Sequence, residues 1–364
     1  MAVWCSTMEG LVMPMNGDFW HGKRVLVTGH TGFKGAWLAL WLQMLGAEVM
    51  GVALPPSTEP SLYALLSKQP WINSQMCDIR DAQTLIQCVQ VLRPEIVFHL
   101  AAQALVRPSY QNPLETFSTN VMGTANVLEA VKGTDSVRVV VAITTDKVYK
   151  NREWCYPYRE DDALGGHDPY SASKAACEIV IASYRDSFLG AAGVAVASAR
   201  AGNVIGGGDW STDRLLPDAV RAWQAKQPLV IRNPLATRPW QHVLEPLAGY
   251  LSLAEKLWVQ PDLAGSYNFG PAPSEAATVK KVIELASIPY EYCVTSYEIC
   301  KQNLHEANWL ALETAKSNAI LGIHPRWSLA DSVLKTMSWY RAQHEGADAR
   351  KLCMADIEQF EAQA

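Results

Sequence analysis

The sequence predicts an α/β protein in which a doubly wound parallel sheet carries a smaller, mainly C-terminal α/β lobe. Short apolar runs typical of buried strands alternate with longer helical stretches, which is the pattern of a parallel sheet covered on both faces. A loop with three glycines, from Gly29 to Gly35, joins the first of these strands to the first long helix. After Gly202 prolines follow at short intervals and the elements become shorter, which indicates a second lobe.

The predicted elements follow this alternation in order. Residues 24–28 form a β-rich apolar run, and the glycine loop and an apolar helical stretch at 36–45 come next. The further predicted strands are 48–54, 95–100, 138–144 and 194–200, and the helical windows between them include 116–132 and 170–188.

The composition favours a folded acidic protein with a large core. Its 364 residues amount to about two to two and a half typical domains. Lys and Arg total 31 against 36 for Asp and Glu, the net charge is −5, and no run of basic residues occurs. We therefore expect neither a nucleic-acid partner nor an anionic membrane surface. Only 18% of residues are charged, below the roughly 25% of average domains, which favours a large core or an apolar interface.

Membrane, disulfide and metal sites are not expected. The most apolar stretch, residues 36–54, is interrupted by Gln43, Gly46, Glu48 and Gly51, so a buried helix and a strand explain it better than a membrane span. Eight scattered cysteines lack a C-x-x-C pair, which argues against zinc and a disulfide framework and indicates the reducing cytoplasm. Residues 1–15 lack the pattern of a secretion signal, and residues 1–20 are predicted to be an extension.

The glycine loop predicts a dinucleotide cradle in a Rossmann-type sheet. Gly29-His-Thr-Gly32-Phe-Lys-Gly35 stands directly between strand and helix, where glycines let the backbone approach a pyrophosphate at the helix N-terminus. The second strand ends in Val52-Ala-Leu54, with neither an acid for a ribose nor an arginine for a 2′-phosphate. We expect NAD rather than NADP, because the missing arginine argues against NADP more strongly than the missing acid argues against NAD. Asp78 and Ile79 either contact the adenine or cap the next helix.

A second motif, Tyr170-Ser-Ala-Ser-Lys174, predicts proton-transfer chemistry. A spacing of four residues puts the phenol and the ammonium on one face of a helix. An adjacent ammonium favours the phenolate, by about 1.4 kcal/mol for each unit by which the pKa falls. Together the two groups can exchange a proton with an alcohol.

With these motifs the sequence resembles the extended short-chain dehydrogenase/reductases, in their nucleotide-sugar 4,6-dehydratase branch. The resemblance covers residues 23–341 in order. It is carried by residues 28–35, Leu100-Ala-Ala102, Asn120-Val-Met-Gly-Thr124, Thr144-Thr-Asp-Lys-Val-Tyr149, Tyr170 to Lys174, Arg200-Ala-Gly-Asn203, Arg238-Pro-Trp-Gln-His242, Leu312-Glu-Thr-Ala-Lys316, Leu321-Gly322 and Trp339-Tyr340. Where other dehydratases carry Thr-Asp-Glu, this chain has Thr145-Asp146-Lys147, a pattern that resembles the CDP-glucose dehydratases of the branch.

The resemblance implies a site and a mechanism. Thr145 and Tyr170, with Lys174 beside it, would handle the hydroxyl on carbon 4 while hydride passes to NAD, and protonated Asp146 would donate to the departing hydroxyl of carbon 6. Lys147 replaces the glutamate that takes the carbon 5 proton in relatives. It either serves as that base, with a pKa lowered by burial and cations such as Lys174, or pairs with Asp146 and leaves the task to water or Tyr170.

The implied ligand contacts follow the same motifs. The expected cofactor residues are Gly29, Thr31, Gly32, Phe33, Gly35, Asp78, Ile79, Leu100, Ala101, Ala102, Asn120, Thr144, Tyr170 and Lys174. The nucleotide sugar, CDP-glucose, would meet Gln103, Thr145, Asn203, Arg214, Arg232 and Arg238, with Arg238 on the diphosphate. Gln103 has a packing role as its alternative.

The resemblance also implies the organisation of the chain. Residues 21–202, rejoined by about 235–256, would form the NAD-binding Rossmann domain, and 203–234 with 257–364 the nucleotide-sugar lobe. A homodimer through a four-helix interface is implied, with a role in deoxysugar and lipopolysaccharide O-antigen biosynthesis. The rival functions are a nucleotide-sugar 4-epimerase or decarboxylase, a 4,6-dehydratase for another nucleotide, and a catalytically inactive NAD-sensing protein.

Overall fold

A computed structural model describes residues 17–67, 69–297 and 309–363. Its main sheet has seven parallel strands in the order β11-β6-β5-β4-β1-β2-β3, which confirms the predicted doubly wound α/β fold. These strands are β1 Arg24–Thr28, β2 Glu48–Ala53, β3 Asn73–Met76, β4 Ile96–His99, β5 Val139–Ile143, β6 Ala195–Ala201 and β11 Ser266–Phe269.

The helices of the described residues cover both faces of this sheet and also pack on strands outside it. They are α1 Gly17–Trp20, α2 Phe33–Met44, α3 Leu62–Leu66, α4 Ala82–Leu92, α5 Val106–Gln111, α6 Pro113–Phe117, α7 Gly123–Lys132, α8 Pro169–Tyr184, α9 Leu215–Gln224, α10 Leu244–Val259, α11 Val279–Ala286, α12 Ala315–Leu321, α13 Leu329–His344 and α14 Ala349–Glu361. Two π-helical turns, Ser118–Met122 and Arg185–Leu189, extend the predicted helices at 116–132 and 170–188. No helix in the described ranges is long and apolar enough to span a membrane.

Alternation along the strands divides the core into two layers. Val25 and Val27 of β1 face one cluster, and Leu26 between them faces the other. Helix α2 is buried around its whole circumference from Gly35 to Leu42. The apolar stretch that looked most like a membrane span is therefore a core helix, as its interruptions predicted.

Three short pairs of strands in the described residues lie outside the main sheet. The pairs are β7 Val204–Ile205 with β10 Gln241–His242, β8 Leu229–Ile231 with β13 Thr295–Tyr297, and β9 Thr237–Arg238 with β12 Ala277–Thr278. The prolines predicted this fragmentation, because proline cannot donate to a strand ladder. These pairs stand over the carboxyl edge of the main sheet and close one side of the cleft described below.

Two features differ from the predicted domain boundaries. Strand β11 lies in the range predicted for the second lobe, yet it pairs with β6 and completes the main sheet. Trp20 was predicted to belong to an N-terminal extension, but its indole is fully buried and donates to Glu255 at 2.6 Å. The remainder of that extension, residues 1–16, lies outside the described residues.

Candidate active site

A cleft of about 1250 Å³ opens at the carboxyl ends of the parallel strands, between the sheet and the second lobe. It exceeds the roughly 300–1000 Å³ of single-ligand pockets, so it has room for two ligands of nucleotide size. Of the predicted site residues, all except Asn120 line it: Gly29, Thr31, Gly32, Phe33, Gly35, Asp78, Ile79, Leu100, Ala101, Ala102, Gln103, Thr144, Thr145, Asp146, Lys147, Tyr170, Lys174, Asn203, Arg214, Arg232 and Arg238. The motifs thus meet at one place.

The glycine loop has the geometry of a phosphate cradle. Gly29 has a φ of +77°, and a Cβ there would lie 2.7 Å from the Ala101 nitrogen. A Cβ on Gly35 would lie 2.2 Å from the Gly29 oxygen, so both positions exclude any side chain. Gly32 starts α2 without a side-chain cap, which leaves the first amides of the helix facing the cleft.

The wall beside the second strand lacks an acid, as the sequence predicted. Leu54 follows β2 with its side chain about half exposed in the cleft, and its carbonyl accepts from the Thr31 hydroxyl at 2.8 Å. Asp78 lines the cleft and is held by Arg80 at 2.6 Å. The alternative that Asp78 caps the next helix is wrong, because Asp81 is the cap of α4 and accepts from the Thr84 amide.

The triplet Thr145-Asp146-Lys147 leaves the end of β5 and enters a 3-10 turn, Asp146–Val148, that Thr145 caps. The Thr145 hydroxyl donates to Asp146 Oδ1 at 2.9 Å. The other oxygen, Oδ2, is buried and has no hydrogen-bond partner in the described structure. Burial raises the pKa of Asp146, against the opposing charge of Lys147, so the neutral acid is favoured.

Helix α8 brings Tyr170 and Lys174 to the same place. Asp168 caps this helix by accepting from the Ser171 amide at 2.9 Å, and Pro169 occupies its first turn. The Lys174 ammonium donates to the Ile143 carbonyl at 3.2 Å, which ties α8 to the end of β5. Tyr170 hydrogen-bonds the Thr145 side chain, so Tyr170, Thr145 and Asp146 form one chain of polar contacts.

One electrostatic expectation for Tyr170 is wrong for the unliganded protein. Burial raises the pKa of its hydroxyl to about 12, and the effects that oppose this rise are the Thr145 hydrogen bond and the charge of Arg214. Lys174 was expected to depress that pKa, but its ammonium is directed at a backbone carbonyl. The desolvation of a phenol between two lobes outweighs the cation one helical turn away.

Lys147 has no hydrogen bond or ion pair from its ammonium among the described residues. The pairing with Asp146 that the sequence left open is therefore not formed within 4.0 Å in the described structure. Burial lowers the pKa of Lys147, and Arg238 and Arg214 act in the same direction against Asp146. The cations that favour its neutral form are thus these two arginines rather than Lys174.

Two predicted ligand residues have structural partners instead. Asn120 is buried behind the cleft, where its amide accepts from the Gln103 amide at 2.8 Å and donates to the Ser173 hydroxyl at 2.8 Å. The Gln103 side chain accepts from the Leu105 amide at 2.6 Å and donates to the Leu105 carbonyl at 3.0 Å. The structure favours the packing alternative for Gln103, and Asn120 shapes the cleft without lining it.

The arginines of the cleft fall into two groups. Arg232 shares the Asp213 carboxylate with Arg107 of α5, at 3.5 and 3.2 Å, so this carboxylate bridges the two lobes. Arg214 lines the cleft without a side-chain partner in the described residues, and Arg238 lies close enough to affect the pKa of Asp146. Arg214 and Arg238 therefore face the reacting end, whereas Arg232 is engaged by Asp213.

Sequence reasoning missed Lys34, which stands inside the glycine motif it had quoted. Its ammonium lies 3.4 Å from the Tyr250 hydroxyl and lines the cleft. Burial, together with the charges of Arg214 and Lys174, lowers its pKa to about 7. A lysine inside a phosphate-binding loop was the available signal. The partners that lower its pKa come from distant positions in the chain, so the sequence could not show them.

Comparison with known proteins decides the family. The sequence profile of the family described as GDP-mannose 4,6 dehydratase matches residues 26–325, which is most of the chain. The protein belongs to this dehydratase family. Its matched region contains the glycine loop, the triplet at Thr145 and the helix of Tyr170, so the motifs and the family assignment rest on the same residues.

A curated member supports the assignment. CDP-glucose 4,6-dehydratase of Salmonella typhimurium is 47% identical over 337 residues, with 91% of this chain and 94% of the relative covered. Among solved structures, MoeE5 in complex with UDP-glucose and NAD has a TM-score of 0.74 at 24% identity, covering 89% of this chain and all of that one. The epimerase Mth375 of Methanothermobacter thermautotrophicus has a TM-score of 0.80 at 23% identity, with 90% and 95% covered. These structures share the fold of the dehydratase family.

Proposed function

We propose that the protein is an NAD-dependent CDP-glucose 4,6-dehydratase, a lyase that converts CDP-glucose to CDP-4-keto-6-deoxyglucose. The observation that carries the proposal is the buried Asp146 carboxyl, joined through Thr145 to Tyr170. Reversible oxidation alone needs no acid beside the tyrosine, whereas loss of a hydroxyl does. The curated relative from Salmonella typhimurium, 47% identical, supports the choice of CDP.

The residues of the cleft fit NAD. Gly29 and Gly35 leave space that a Cβ would fill, and the first turn of α2 presents free amides to a pyrophosphate. When bound, NAD accepts a hydride from carbon 4 of the sugar and later returns it to carbon 6, so the cofactor is not consumed.

The first chemical step falls to Tyr170 and Thr145. Their hydrogen-bonded hydroxyls hold the hydroxyl on carbon 4, and Tyr170 as phenolate takes its proton when the C–H bond at carbon 4 is broken. Burial raises the pKa of Tyr170 to about 12 even though the Thr145 hydrogen bond and the charge of Arg214 lower it, so this step needs further positive charge near the ring. Lys174 keeps α8 in register with the end of β5 through the Ile143 carbonyl.

Elimination falls to Lys147 and Asp146. The 4-ketone acidifies the hydrogen on carbon 5, which the neutral amine of Lys147 removes, and the proton of Asp146 goes to the hydroxyl that leaves carbon 6 as water. The Lys147 ammonium then returns its proton to carbon 5 as hydride reaches carbon 6. The proton that Tyr170 took from the carbon 4 hydroxyl passes through Thr145 to Asp146, so both groups regain their starting state, and the products are water and the 4-keto-6-deoxy sugar nucleotide. The pKa of Asp146 is raised and that of Lys147 is lowered, and both directions suit these roles.

The substrate diphosphate is assigned to Arg238 and Asn203. Both line the cleft, and the Asn203 side chain has no partner among the described residues. Arg214 lies closer to the reacting end, and Arg232 would have to leave Asp213 to bind a phosphate. In an acidic protein, local arginines such as these offset the negative charge of a bound diphosphate.

Turnover of four nucleotide-glucoses tests the proposal. The protein with NAD is incubated with CDP-, dTDP-, GDP- or UDP-glucose, and the alkali-induced absorbance of a 4-keto-6-deoxy sugar is recorded. We expect product from CDP-glucose. Equal activity on all four would remove the CDP assignment, and a 4-epimer without loss of water would make the protein an epimerase. Binding of NAD without turnover of any nucleotide-glucose would show the inactive sensor.

We also propose a homodimer built on the π-helical stretch between α6 and α7 and on α8. Large apolar side chains are exposed there, among them Leu114 at 85%, Met122 at 56% and Ile179 at 62%. Such a patch on two neighbouring helices fits a four-helix interface. Light scattering of wild type and Ile179→Glu tests it, with a dimer expected for the first and a monomer for the second; a monomeric wild type would contradict the proposal.

A cytoplasmic location and a role in deoxysugar biosynthesis complete the proposal. The cysteines of the described residues, Cys77 and Cys155 among them, are free thiols, which suits a reducing compartment. A 4-keto-6-deoxy product is a precursor for deoxysugars such as those of lipopolysaccharide O-antigen. Deletion of the gene, with the sugar composition of the surface glycan as readout, tests this role.

A further inference from the structure

An ion pair lies buried directly behind the active site. Arg200 of β6 contacts Glu178 of α8 at 2.8 Å, and the two side chains are 3% and 2% exposed. Burying two charges carries a large desolvation cost that their attraction offsets only when the remaining polar atoms are also satisfied. Neither residue lines the cleft, and neither was singled out as a site residue from the sequence.

The Glu178 carboxylate connects the catalytic helix to three strands. Its Oε1 accepts from the Thr144 hydroxyl at 2.5 Å, and its Oε2 accepts from Ser198 of β6 at 2.7 Å and Ser266 of β11 at 3.3 Å. Thr144 immediately precedes the catalytic triplet. One carboxylate thus fixes the start of the triplet relative to the sheet.

The Arg200 guanidinium fixes the other end of the triplet. It donates to the Tyr149 hydroxyl at 2.8 Å and to the Glu160 carbonyl at 2.9 Å. The Tyr149 hydroxyl in turn donates to Asn268 at 2.6 Å. Tyr149 directly follows the 3-10 turn Asp146–Val148, so the segment is tied on both sides to one ion pair.

The position of Glu178 on α8 connects the buried ion pair to the catalytic residues of the same helix. Glu178 lies one turn beyond Lys174 and two turns beyond Tyr170, on the same helix. We propose that Glu178 and Arg200 are positioning residues that set the triplet Thr145-Asp146-Lys147 against Tyr170 and Lys174. This inference rests on the proposed function for the reaction that it serves. Misplacement of reacting groups by about 1 Å costs up to about 100-fold in rate, so a device that fixes both partners has a large effect.

A purely structural role is the competing explanation, and a double variant separates the two. Glu178→Gln alone leaves the buried Arg200 without its anion, so it is expected to lower the melting temperature. Glu178→Leu with Arg200→Met removes both charges and keeps a similar volume, so stability is expected to return. We expect kcat to stay about 10- to 100-fold below wild type in this double variant, because the ties to Thr144 and Tyr149 are absent. KM for the nucleotide sugar is expected to change less than about 3-fold, since neither residue lines the cleft.

Tyr149→Phe provides a milder test with a matched control. It removes only the hydroxyl that connects the triplet to Arg200, and we expect amide hydrogen exchange in peptides covering residues 144–149 to accelerate about 10-fold. Tyr267→Phe is the control, because Tyr267 is equally buried and its hydroxyl donates to the Leu263 carbonyl, away from the triplet. Its exchange at 144–149 is expected to equal that of wild type.

The outcomes distinguish the positioning role from the proposed function. A double variant that regains wild-type kcat together with its stability would overturn positioning. Unchanged exchange at residues 144–149 in both Tyr149→Phe and the double variant would overturn it as well. The exchange measurement needs no substrate, so it decides the question even if the wild type turns over no nucleotide-glucose, a result that would refute only the proposed function.

Discussion

The two sides of the catalytic triplet differ in how completely their polar groups are paired. Behind it, Glu178 and Arg200 sit among hydroxyls and carbonyls that pair with their charged groups, apart from Arg200 Nε, which has no hydrogen-bond partner in the described structure. In front of it, Asp146 Oδ2 is buried without a hydrogen-bond partner, and the side chains of Lys147 and Arg214 form no hydrogen bond or ion pair with the described residues. Buried polar groups in folded proteins are normally hydrogen-bonded, so exceptions require an explanation.

We call the paired groups behind the triplet, Glu178 and Arg200 with their partners, the frame. The unpaired groups in front of it form the reaction surface. A group paired within the protein holds geometry, whereas a buried group left unpaired is available to a ligand. Substitutions on the reaction surface should therefore cost activity and leave stability unchanged or improved. Substitutions in the frame should cost stability, and activity only through geometry. Substitutions of Tyr170, Asp146, Lys147, Gln103 and Asn203 are expected to follow this rule, from the largest effect to the smallest.

Tyr170→Phe removes the one hydroxyl that can take the carbon 4 proton. We expect kcat/KM for CDP-glucose to fall by about 1000-fold, within the range of general acid and base effects. Single-turnover formation of NADH, followed by its absorbance, measures the step directly. Binding of CDP by calorimetry should equal that of wild type, as the control for folding. A loss below about 10-fold would remove Tyr170 from the reaction surface.

Asp146→Asn keeps the shape of the acid and removes its proton. Water elimination is expected to fall by about 100-fold or more, while oxidation at carbon 4 persists and NADH accumulates. In the wild type, burial raises the pKa of Asp146 and so favours the protonated acid, and elimination should decline as pH rises through that pKa. A pH profile of product formation checks this, and the same alkaline decline in Asp146→Asn would assign it to another group.

Asp146→Asn is expected to lower activity but to increase the stability of the protein at high pH. Because folding raises the pKa of Asp146, its contribution to stability is complete below the unfolded value of about 3.9 and is lost as pH rises through the folded value. Asp146→Asn should thus be more stable than wild type at pH 8 and not at pH 4, by about 1.4 kcal/mol for each pH unit that separates the folded pKa from the unfolded one. Urea unfolding at both pH values measures the difference.

Substitutions of Lys147 test which group on the reaction surface removes the carbon 5 proton. Lys147→Met should slow exchange of the carbon 5 hydrogen with deuterated water by about 100-fold, because the base is absent. Lys147→Glu restores a base of the kind found in relatives and tests whether the ammonium has a special task. Full exchange in Lys147→Glu would show that any base suffices there. Full exchange in Lys147→Met would transfer the role to water or Tyr170.

The sequence predicted most of the strands and helices of the fold, because the periodicity of buried residues is a local property of the chain. β1, β5 and α8 lie within a few residues of their predicted bounds. β11 was missed as a member of the sheet because its four residues give little signal, and its partner β6 lies far away in the chain. Pairing across the sheet is a long-range property that a local pattern does not contain.

The same distinction between local and long-range properties applies to the candidate site. Motifs placed Tyr170, Asp146 and the glycine loop at the cleft, because residue types at fixed spacing carry the chemistry. The pKa values of Tyr170 and Lys147 depend on burial and on the charges of Arg214 and, for Lys147, Arg238, which come from distant positions in the chain. Gln103 shows the same limit, since its position after β4 predicts ligand contact but its side chain is held by its own loop.

Substitutions of Gln103 and Asn203 have the smallest expected effects. The two can be compared directly, because both side chains are amides that line the cleft. Gln103→Met breaks the hydrogen bonds to Leu105 and Thr116, so stability should fall by about 1–2 kcal/mol with kcat/KM changed less than about 3-fold. Asn203→Ala removes an unpaired side chain, so KM for CDP-glucose should rise about 10-fold with stability unchanged. Thermal unfolding and initial rates of the two variants suffice. The reverse pattern would mean that pairing within the unliganded protein does not distinguish frame from reaction surface.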